Sequence, residues 1–465
     1  MKPHFQFDDE ANAAMQSNIS PRLTSIVRAF QDFAHQEASG GIVVLAATIV
    51  ALIWANISPE TYEELWHHLK VGITWGEHAL KMSLGHWIND GLMAIFFFVV
   101  GLEIKREVTV GELRSIKRVT FPIAAAIGGM VVPALIYVAF NWGEPTLSGW
   151  GIPMATDIAF ALGVLALLGS RIPTSLKIFL TTLAIADDMG AVLIIALFYT
   201  SDLSVTWLLL GLAAIGVAFL LNRLRFYRSL VYLVLGIIAW YGFLQSGVHA
   251  TIAGVLMAFT IPVRRFLDRR TFLNNARRIL AEMEDAIEND DLFRSGIDTL
   301  ETLSENAQSP LRRLETNLHP VVAFFIVPIF ALANAGVHIE GGFGDILGSP
   351  LFLGIVLGLA LGKPVGIFLG AYLSSLLKLG QKPDTVSWAH ILGAGMLGGI
   401  GFTVALFIAT LGLPESALPV AKLSILTASF LAGVAGVIWL LITSRPEQAP
   451  VLSAEEEEYQ AVGES

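Results

Sequence analysis

The sequence contains no cysteine among its 465 residues, which excludes disulfide bonds and thiolate chemistry and leaves the redox compartment undefined. Charged residues are also scarce, at 15% of the chain, whereas a soluble protein carries about a quarter. Hydrophobic residues make up 54%, and they come in runs of about twenty rather than in alternating ten-residue segments. The composition therefore predicts an all-α integral membrane protein with the lipid bilayer as a partner. No nucleic-acid partner is expected.

Apolar runs divide the chain into twelve candidate spans. They cover residues 40–56, 88–103, 119–141, 152–169, 175–200, 204–222, 228–247, 248–262, 318–336, 350–377, 387–413 and 418–443. Lysine and arginine gather after every second run and carboxylates in the loops between, with Lys70, Lys81 and Lys422 as exceptions. Because basic residues accumulate on the cytoplasmic side of a membrane, this alternation predicts twelve transmembrane helices with both ends in the cytoplasm.

The polar parts of the chain lie at its two ends and in one loop. Residues 1–38 are mixed in charge and lack the layout of a cleaved signal peptide, so they predict a cytoplasmic N-terminal arm. Residues 264–317 form a charged cytoplasmic insertion, either a helical hairpin or a flexible or disordered connector. Residues 445–465 predict an acidic cytoplasmic tail. Residues 39–263 then hold helices 1–8, and residues 318–444 hold helices 9–12.

Two adjacent carboxylates, Asp187 and Asp188, lie in the middle of the fifth apolar run. Even the mildest insertion scales give a cost of about 3 kcal/mol for one aspartate at the centre of a membrane helix. The pair must therefore face protons, a metal cation or a basic partner. Adjacent helix positions point about 100° apart, so we expect one acid to be the direct ligand and the other to partner a base. The alternative is that the pair caps a helix in a loop.

Helix-breaking and ionisable residues also interrupt three other runs. Thr156 and Asp157 open the fourth run, Lys363 lies between Gly362 and Pro364 in the tenth, and the glycine-rich stretch 398–403 lies in the eleventh. Glycine and proline at membrane depth leave backbone groups unpaired unless they line a polar cavity, so the fourth and eleventh spans are candidates for broken helices. If these cross, their half-helix ends make one positive and one negative junction. Asp157 and Lys363 have the signs that neutralise them.

Three alternatives stay open for these interruptions. Asp157 could be an N-cap at the membrane edge, and Lys363 could belong to a surface loop between two short helices. The glycines of the eleventh run could serve only close helix packing. If the helices do cross, spans three to five and ten to twelve form two similar halves related by an inverted repeat, which is a common transporter plan.

Several short motifs then carry a resemblance to a known family. They are Asn89-Asp90-Gly-Leu-Met-Ala, Gly101-Leu-Glu103-Ile-Lys-Arg106-Glu107, Ala155-Thr156-Asp157-Ile-Ala-Phe-Ala-Leu-Gly163, Ala186-Asp187-Asp188-Met-Gly190, Ser246-Gly-Val-His249-Ala-Thr, Ala333-Asn334-Ala-Gly336, Gly362-Lys363-Pro364 and Gly399-Ile-Gly-Phe-Thr403. In these motifs the chain resembles the bacterial NhaA sodium/proton antiporters over about residues 40–260 and 312–440. The resemblance implies a bacterial inner-membrane protein, a twelve-helix inverted-repeat fold with the fourth and eleventh helices broken and crossing, and a homodimer.

The resemblance also implies residue roles. Asp187 and Asp188 bind the cation and the protons, and Lys363 pairs with the first of them. Asp157 and Lys363 compensate the helix dipoles, with Thr156 in support. The family's proposed pH-sensing cluster corresponds to Glu103, Arg106, Glu107, Glu315 and His319. Thr316 stands where the family often has a histidine, so the pH set point does not carry over.

The function that this resemblance implies is exchange of internal Na⁺ or Li⁺ for external protons, with no enzyme activity and no cofactor. We expect the exchange to be electrogenic, to be activated at alkaline pH and to serve sodium and pH homeostasis. At low pH the carboxylates hold protons, and at higher pH they release the protons and bind the cation. A proton-coupled carrier for K⁺ is the main alternative. An intramembrane aspartyl protease or a cation channel would use the same acids, but neither Asp157 nor Asp188 has a Gly-x-Gly-Asp context.

Overall fold

The computed structural model describes residues 39–75, 78–111, 116–200, 203–226, 228–338 and 343–444. The predicted N-terminal arm and acidic tail lie outside these described residues. Most of the described part is helical. Two short strands, Lys70–Trp75 and His78–Ser83, pair antiparallel as a hairpin that the hydrophobic pattern did not predict.

Nine helices of the described part are long and apolar enough to cross a membrane. They are Ser39–Ile57, Leu84–Thr109, Val119–Asn141, Thr174–Phe198, Val205–Arg223, Ser229–Ser246, Pro310–Asn334, Pro350–Leu376 and Glu415–Thr443. Large apolar side chains such as Leu230, Phe430 and Ile442 remain exposed on them, which is typical of a surface that meets lipid rather than water. The chain is thus a multi-pass membrane protein, and the prediction of an all-α membrane protein is confirmed.

Two further spans are bent at short interruptions. The first broken helix consists of Pro145–Met154 and Ile158–Leu167, bent by 41°, and the second consists of Trp388–Gly398 and Phe402–Gly412, bent by 48°. Counting each as one span gives up to eleven in the described part, and Ala250–Thr260 is a shorter apolar helix. The breaks predicted in the fourth and eleventh apolar runs are therefore confirmed.

One predicted boundary differs from the structure. The helix that leads to Asn334 begins at Pro310, inside the segment expected to be an insertion. Ser309 caps it, because its hydroxyl accepts a hydrogen bond from Arg312 N at 3.2 Å, and proline is favoured at the first helical position. The first turns of this helix are amphipathic rather than apolar, so a search for apolar runs starts the helix too late.

The rest of the segment forms two antiparallel helices, Arg269–Asp285 and Asp290–Ala307, which we call the arm hairpin. Asp268 caps the first helix, accepting a hydrogen bond from Thr271 N at 2.9 Å. At the base, Leu267 N donates to Asn306 O at 3.0 Å, so the chain leaves and returns at one point. A helical hairpin was one of the structures that the sequence left open.

Close packing by glycine positions the tenth apolar run against the third. A Cβ atom added to Gly128 would lie 2.1 Å from Gly366 O, and one added to Gly366 would lie 2.2 Å from Gly128 O. The two backbones can approach this closely only without side chains at the contact. The contact places Lys363, one turn before Gly366, against Gly129 of the opposing helix, where a Cβ atom would lie 3.8 Å from the lysine Cε.

Candidate functional site

The two broken helices meet at their interruptions. Asp157 N donates to Ile400 O at 2.7 Å, and the Thr156 hydroxyl donates to Gly398 O at 2.8 Å. These bonds satisfy backbone groups that the breaks leave without helical partners. The interruptions therefore form one structural unit, and the glycines of the second break do more than allow close packing.

Asp157 lies at the positive junction of this unit. Its Oδ1 accepts a hydrogen bond from Phe160 N at 3.0 Å, and its Oδ2 accepts one from the Thr403 hydroxyl at 2.5 Å and one from Thr403 N at 3.3 Å. One carboxylate thus contacts the N-termini of both Ile158–Leu167 and Phe402–Gly412, where a helix carries partial positive charge. The N-cap alternative is correct as geometry, but the residue is buried (4% exposed) rather than at an edge.

Lys363 lies at the opposite, negative junction. Its side chain is fully buried, and its Nζ donates to Met154 O, the last carbonyl of Pro145–Met154. Lys363 Cγ is 4.0 Å from a Cβ atom built on Gly398, at the end of Trp388–Gly398. A positive charge is favourable at helix C-termini. The residue lies inside the helix Pro350–Leu376, so the surface-loop alternative is wrong.

The two adjacent acids differ in their partners. Asp187 Oδ2 accepts a hydrogen bond from Lys363 Nζ at 2.6 Å, and the Thr156 side chain also lies beside this carboxylate. Among the described residues, no basic group lies within 4 Å of Asp188. Both acids are buried inside the helix Thr174–Phe198, so they do not cap a loop.

One oxygen of each acid has no partner. Asp187 Oδ1 and Asp188 Oδ1 are buried and accept no hydrogen bond from any described residue. Buried carboxylate oxygens are normally satisfied, and hard cations and protons are the species that such oxygens accept. The described residues contain no group of three or more His, Cys, Asp or Glu that could hold a metal ion. The site thus offers two carboxylates, with the Thr156 side chain beside one of them.

A second charged group joins the helices Leu84–Thr109 and Pro310–Asn334. Arg106 forms ion pairs with Glu315, and with Glu107 at 2.9 Å. Glu103 interacts electrostatically with both Arg106 and Glu315, and His319 with Glu315. The structure thus brings together all five residues expected to form the pH-sensing cluster, and Glu103 also interacts electrostatically with Asp188.

Ser429 contributes to the second break but carried no sequence signal. Phe402 begins the second half of its broken helix with a positive φ of 22°, which is unusual for a residue other than glycine. Its N–H donates to the Ser429 hydroxyl at 3.1 Å. A serine within the apolar helix Glu415–Thr443 has no distinguishing pattern. Thr403, in contrast, belongs to the glycine-rich stretch 398–403 that the sequence singles out, and it lies in the first turn after the break.

The fold and the site together define a multi-pass membrane protein whose discontinuous helices enclose an ionisable centre, the plan of secondary transporters. A family model described as Na⁺/H⁺ antiporter 1 matches residues 31–440. The chain belongs to this family, and the resemblance to the NhaA antiporters is confirmed.

The similar curated proteins cover almost the whole chain. The Na⁺/H⁺ antiporter NhaA of Oleidesulfovibrio alaskensis is 50% identical over 438 residues, 92% of this chain and 97% of the relative. That of Koribacter versatilis is 46% identical, over 96% of this chain and 98% of the relative. That of Helicobacter pylori is 44% identical, over 91% and 97%. Their names are those of transporters and not of enzymes, as expected for this chain.

Proposed function

We propose that the protein exchanges Na⁺ for protons by letting both compete for Asp187 and Asp188. The observation that carries this proposal is a pair of buried carboxylates beside the junction of two broken helices, each with an Oδ1 that accepts no hydrogen bond from the described residues. The family to which the chain belongs is described by the exchange of Na⁺ and H⁺, which identifies the two ions of the proposal. The carboxylates hold protons at low pH, and at higher pH they release protons and bind the cation. The site changes its access to the two sides of the membrane only when it is loaded.

In this mechanism Asp187 and Asp188 have different roles. Asp188 is the direct ligand, because it has no basic partner among the described residues. Asp187 becomes a second ligand when Lys363 gives up its hydrogen bond to it. Lys363 can do so while it keeps its bond to Met154 O. Exchanging more than one proton for each cation moves net charge, so we infer that transport is electrogenic and driven by the membrane potential.

The helix ends provide the fixed electrostatics of the site. Asp157 offsets two positive N-termini, Lys363 offsets two negative C-termini, and the Thr156 hydroxyl ties the two breaks together. These contacts support the dipole-compensation roles inferred from the sequence. Because the fixed charges balance, the centre can gain or lose a cation or a proton without leaving a junction unpaired.

The architecture that we infer has twelve membrane helices. It adds the short helix Ala250–Thr260 to the eleven spans, and it treats the two broken helices as equivalent members of an inverted repeat. Similarity to the NhaA antiporters supports a bacterial inner-membrane location, a homodimer, and cytoplasmic placement of residues 1–38, 264–317 and 445–465. It also supports Li⁺ as a second substrate and a role in sodium and pH homeostasis.

The cluster of Glu103, Arg106, Glu107, Glu315 and His319 is our proposed site of alkaline activation. Arg106 joins two membrane helices through Glu315, so a change in the protonation of this cluster would change the force that holds them together. Arg106 lies in the last turn of Leu84–Thr109, and Glu315 lies near the start of the helix that follows the insertion. The proposed topology places both of these helix ends on the cytoplasmic side, where the cluster meets the cytoplasmic pH.

The test is proton flux in inverted membrane vesicles after addition of Na⁺, Li⁺ or K⁺, over roughly pH 6 to 9, the range in which perturbed carboxylates and histidines titrate. We expect Na⁺ and Li⁺, and not K⁺, to release protons from preloaded vesicles. Proton release by K⁺ alone would identify the alternative carrier, since oxygen ligands do not by themselves exclude K⁺. Cation flux without proton movement would contradict antiport.

A further inference from the structure

The half-helix Pro145–Met154 has an unusual winding. All ten of its residues form a 3-10 helix, whereas 3-10 runs longer than three or four residues are uncommon and often mark a hinge. This half-helix ends at Met154, whose carbonyl accepts a hydrogen bond from Lys363. Its winding therefore determines where one partner of the buried lysine lies.

A tyrosine from the neighbouring helix bridges the middle of this half-helix. Tyr199, directly after Thr174–Phe198, donates from its hydroxyl to Ser148 O at 2.9 Å and accepts from Gly151 N at 3.3 Å. Ser148 O and Gly151 N are three residues apart, which is the spacing of a 3-10 hydrogen bond. The hydroxyl thus satisfies both groups in the 3-10 arrangement, and a shift to α-helical pairing would separate them.

The fit at this contact leaves no spare room. A Cβ atom added to Gly151 would lie 2.9 Å from Tyr199 Oη. Tyr199 is largely buried, so its ring has little freedom to move aside. Gly151 therefore admits the hydroxyl, and the hydroxyl in turn holds the Gly151 amide.

A second tyrosine fixes the start of the same half-helix. Tyr137 is fully buried, and its hydroxyl donates to Thr146 O at 2.6 Å. The Thr146 hydroxyl donates to Asn141 Oδ1 at 2.7 Å. With the first turn held by Tyr137, any rewinding of the middle must move the other end, at Met154.

We propose that Tyr199 is a positioning residue for the cation site and acts through Met154 and Lys363. The rise per residue is about 2.0 Å in a 3-10 helix and about 1.5 Å in an α-helix. Rewinding from Gly151 to Met154 would move the Met154 carbonyl by roughly 1.5 Å, which is enough to break its hydrogen bond to Lys363. The lysine would then depend on Asp187 alone and withhold that acid from the cation. The inference rests on the proposed function of Asp187.

Replacing Tyr199 by Phe tests the proposal, because it removes one hydroxyl and keeps the ring. We expect the KM for Na⁺ to rise about fivefold, the size expected for one hydrogen bond, with a maximal rate and a melting temperature near wild type. Tyr232→Phe is the matched control, since that buried hydroxyl donates to Ala218 O at 3.2 Å on other helices. An unchanged KM in Tyr199→Phe would overturn the proposal.

Hydrogen exchange gives a readout that does not depend on transport. The amides of Gly151, Ile152 and Met154 should exchange faster in Tyr199→Phe and remain unchanged in Tyr232→Phe; Pro153 between them has no amide hydrogen. Unchanged exchange in both variants would contradict the positioning role even if transport were altered. If instead Asp188→Asn transported normally, the proposed function would fail, and the exchange result would still decide whether Tyr199 holds the half-helix.

Coupling between the two contact partners provides a final check. Gly151→Ala should raise the KM for Na⁺ in the wild-type background, because the new methyl group would lie too close to the Tyr199 hydroxyl. In Tyr199→Phe the hydroxyl is already gone, so the same substitution should add little. Additive effects of the two substitutions would show that the residues act independently, and would count against the proposal.

Discussion

The broken-helix junctions and the arm hairpin are both polar interruptions of an apolar chain, yet their charges have opposite surroundings. At the junctions, Asp157 and Lys363 are buried and receive their contacts from distant parts of the sequence. In the arm hairpin, Arg278 and Glu282 lie one turn apart, about 70% exposed, at 3.7 Å. An exposed pair contributes about 0–1 kcal/mol, whereas breaking a buried pair costs about 3–5 kcal/mol.

This contrast shows that the functional site is identified by charged side chains that are buried despite the desolvation cost, and not by a high number of charges. A membrane protein retains a buried ionic group only where its partners and its task compensate for desolvation. The arm hairpin has no such constraint, because water solvates its charges. The two regions should therefore respond very differently to substitution.

The largest expected effect is at Asp188. Replacing it by Asn should abolish Na⁺-driven proton release, because a neutral amide can neither carry the proton nor supply a charged ligand. Proton flux in inverted vesicles measures this directly. Asp298→Asn in the arm hairpin, an exposed position, is the matched control and should retain wild-type flux. Near-normal exchange by Asp188→Asn at any pH tested would remove the dyad from the mechanism.

The next effect is on stability, at Lys363. Replacement by Ala leaves Asp187 and the Met154 carbonyl without the amine that joins them, which should cost about 3–5 kcal/mol. We expect a clear drop in the melting temperature in detergent. Lys363→Arg keeps the charge and should retain folding, and Arg278→Ala in the arm hairpin should melt like the wild type. If Lys363→Ala melts like the wild type too, the buried junction does not depend on this charge.

A smaller effect is expected at Thr403. Val keeps its shape but removes the hydroxyl that donates to Asp157 at 2.5 Å, and a hydrogen bond to a charged group contributes about 1.5–3 kcal/mol. The variant should melt at a lower temperature and transport more slowly. Thr410→Val, on the same half-helix, is the control, since the Thr410 hydroxyl donates to Phe407 O within its own helix. Equal behaviour of the two variants would contradict the junction role of Thr403.

Much of this arrangement could be predicted from sequence because burial of charge is costly. Asp187, Asp188 and Lys363 stand out within apolar runs, and glycines mark the break near Gly399. The contacts between the breaks could not be predicted, because they join residues hundreds of positions apart through backbone groups. The 3-10 winding of Pro145–Met154 could not be predicted either, since Gly149, Gly151 and Pro153 indicate an interrupted helix but not its winding.

In the arm hairpin, helices are indicated by the sequence, but their packing could not be predicted from it. Its apolar residues recur at helical spacing among many charged ones, a pattern that indicates a helix but not what it packs against. In the structure, Ile279 and Met283 are buried, and a Cβ atom added to Gly296 of the second helix would lie 2.3 Å from Met283. The sequence could not choose between this hairpin and a flexible connector, because the stabilising contacts are few and small in area.

The smallest effect on transport should come from deleting Asp268 to Gln308. The hairpin base is already closed by Leu267 N and Asn306 O at 3.0 Å, so joining Leu267 to Ser309 requires little rearrangement of the membrane helices. We expect the maximal exchange rate in vesicles to stay within about twofold of wild type, since a disrupted exposed pair costs at most about 1 kcal/mol.

One ion pair lets the experiment distinguish the loss of a single contact from the loss of a function of the arm hairpin. Glu305 of the arm hairpin pairs with Arg313 at 2.9 Å, and Arg313 lies two residues before Glu315 of the proposed pH-sensing cluster. A shift of the pH profile in the deletion variant should therefore be reproduced by Glu305→Ala in the full chain. If transport is lost in a correctly inserted deletion variant while Glu305→Ala is normal, the arm hairpin has a role that its exposed charges do not reveal. The contrast between buried and exposed charge would then fail as a guide to function in this protein.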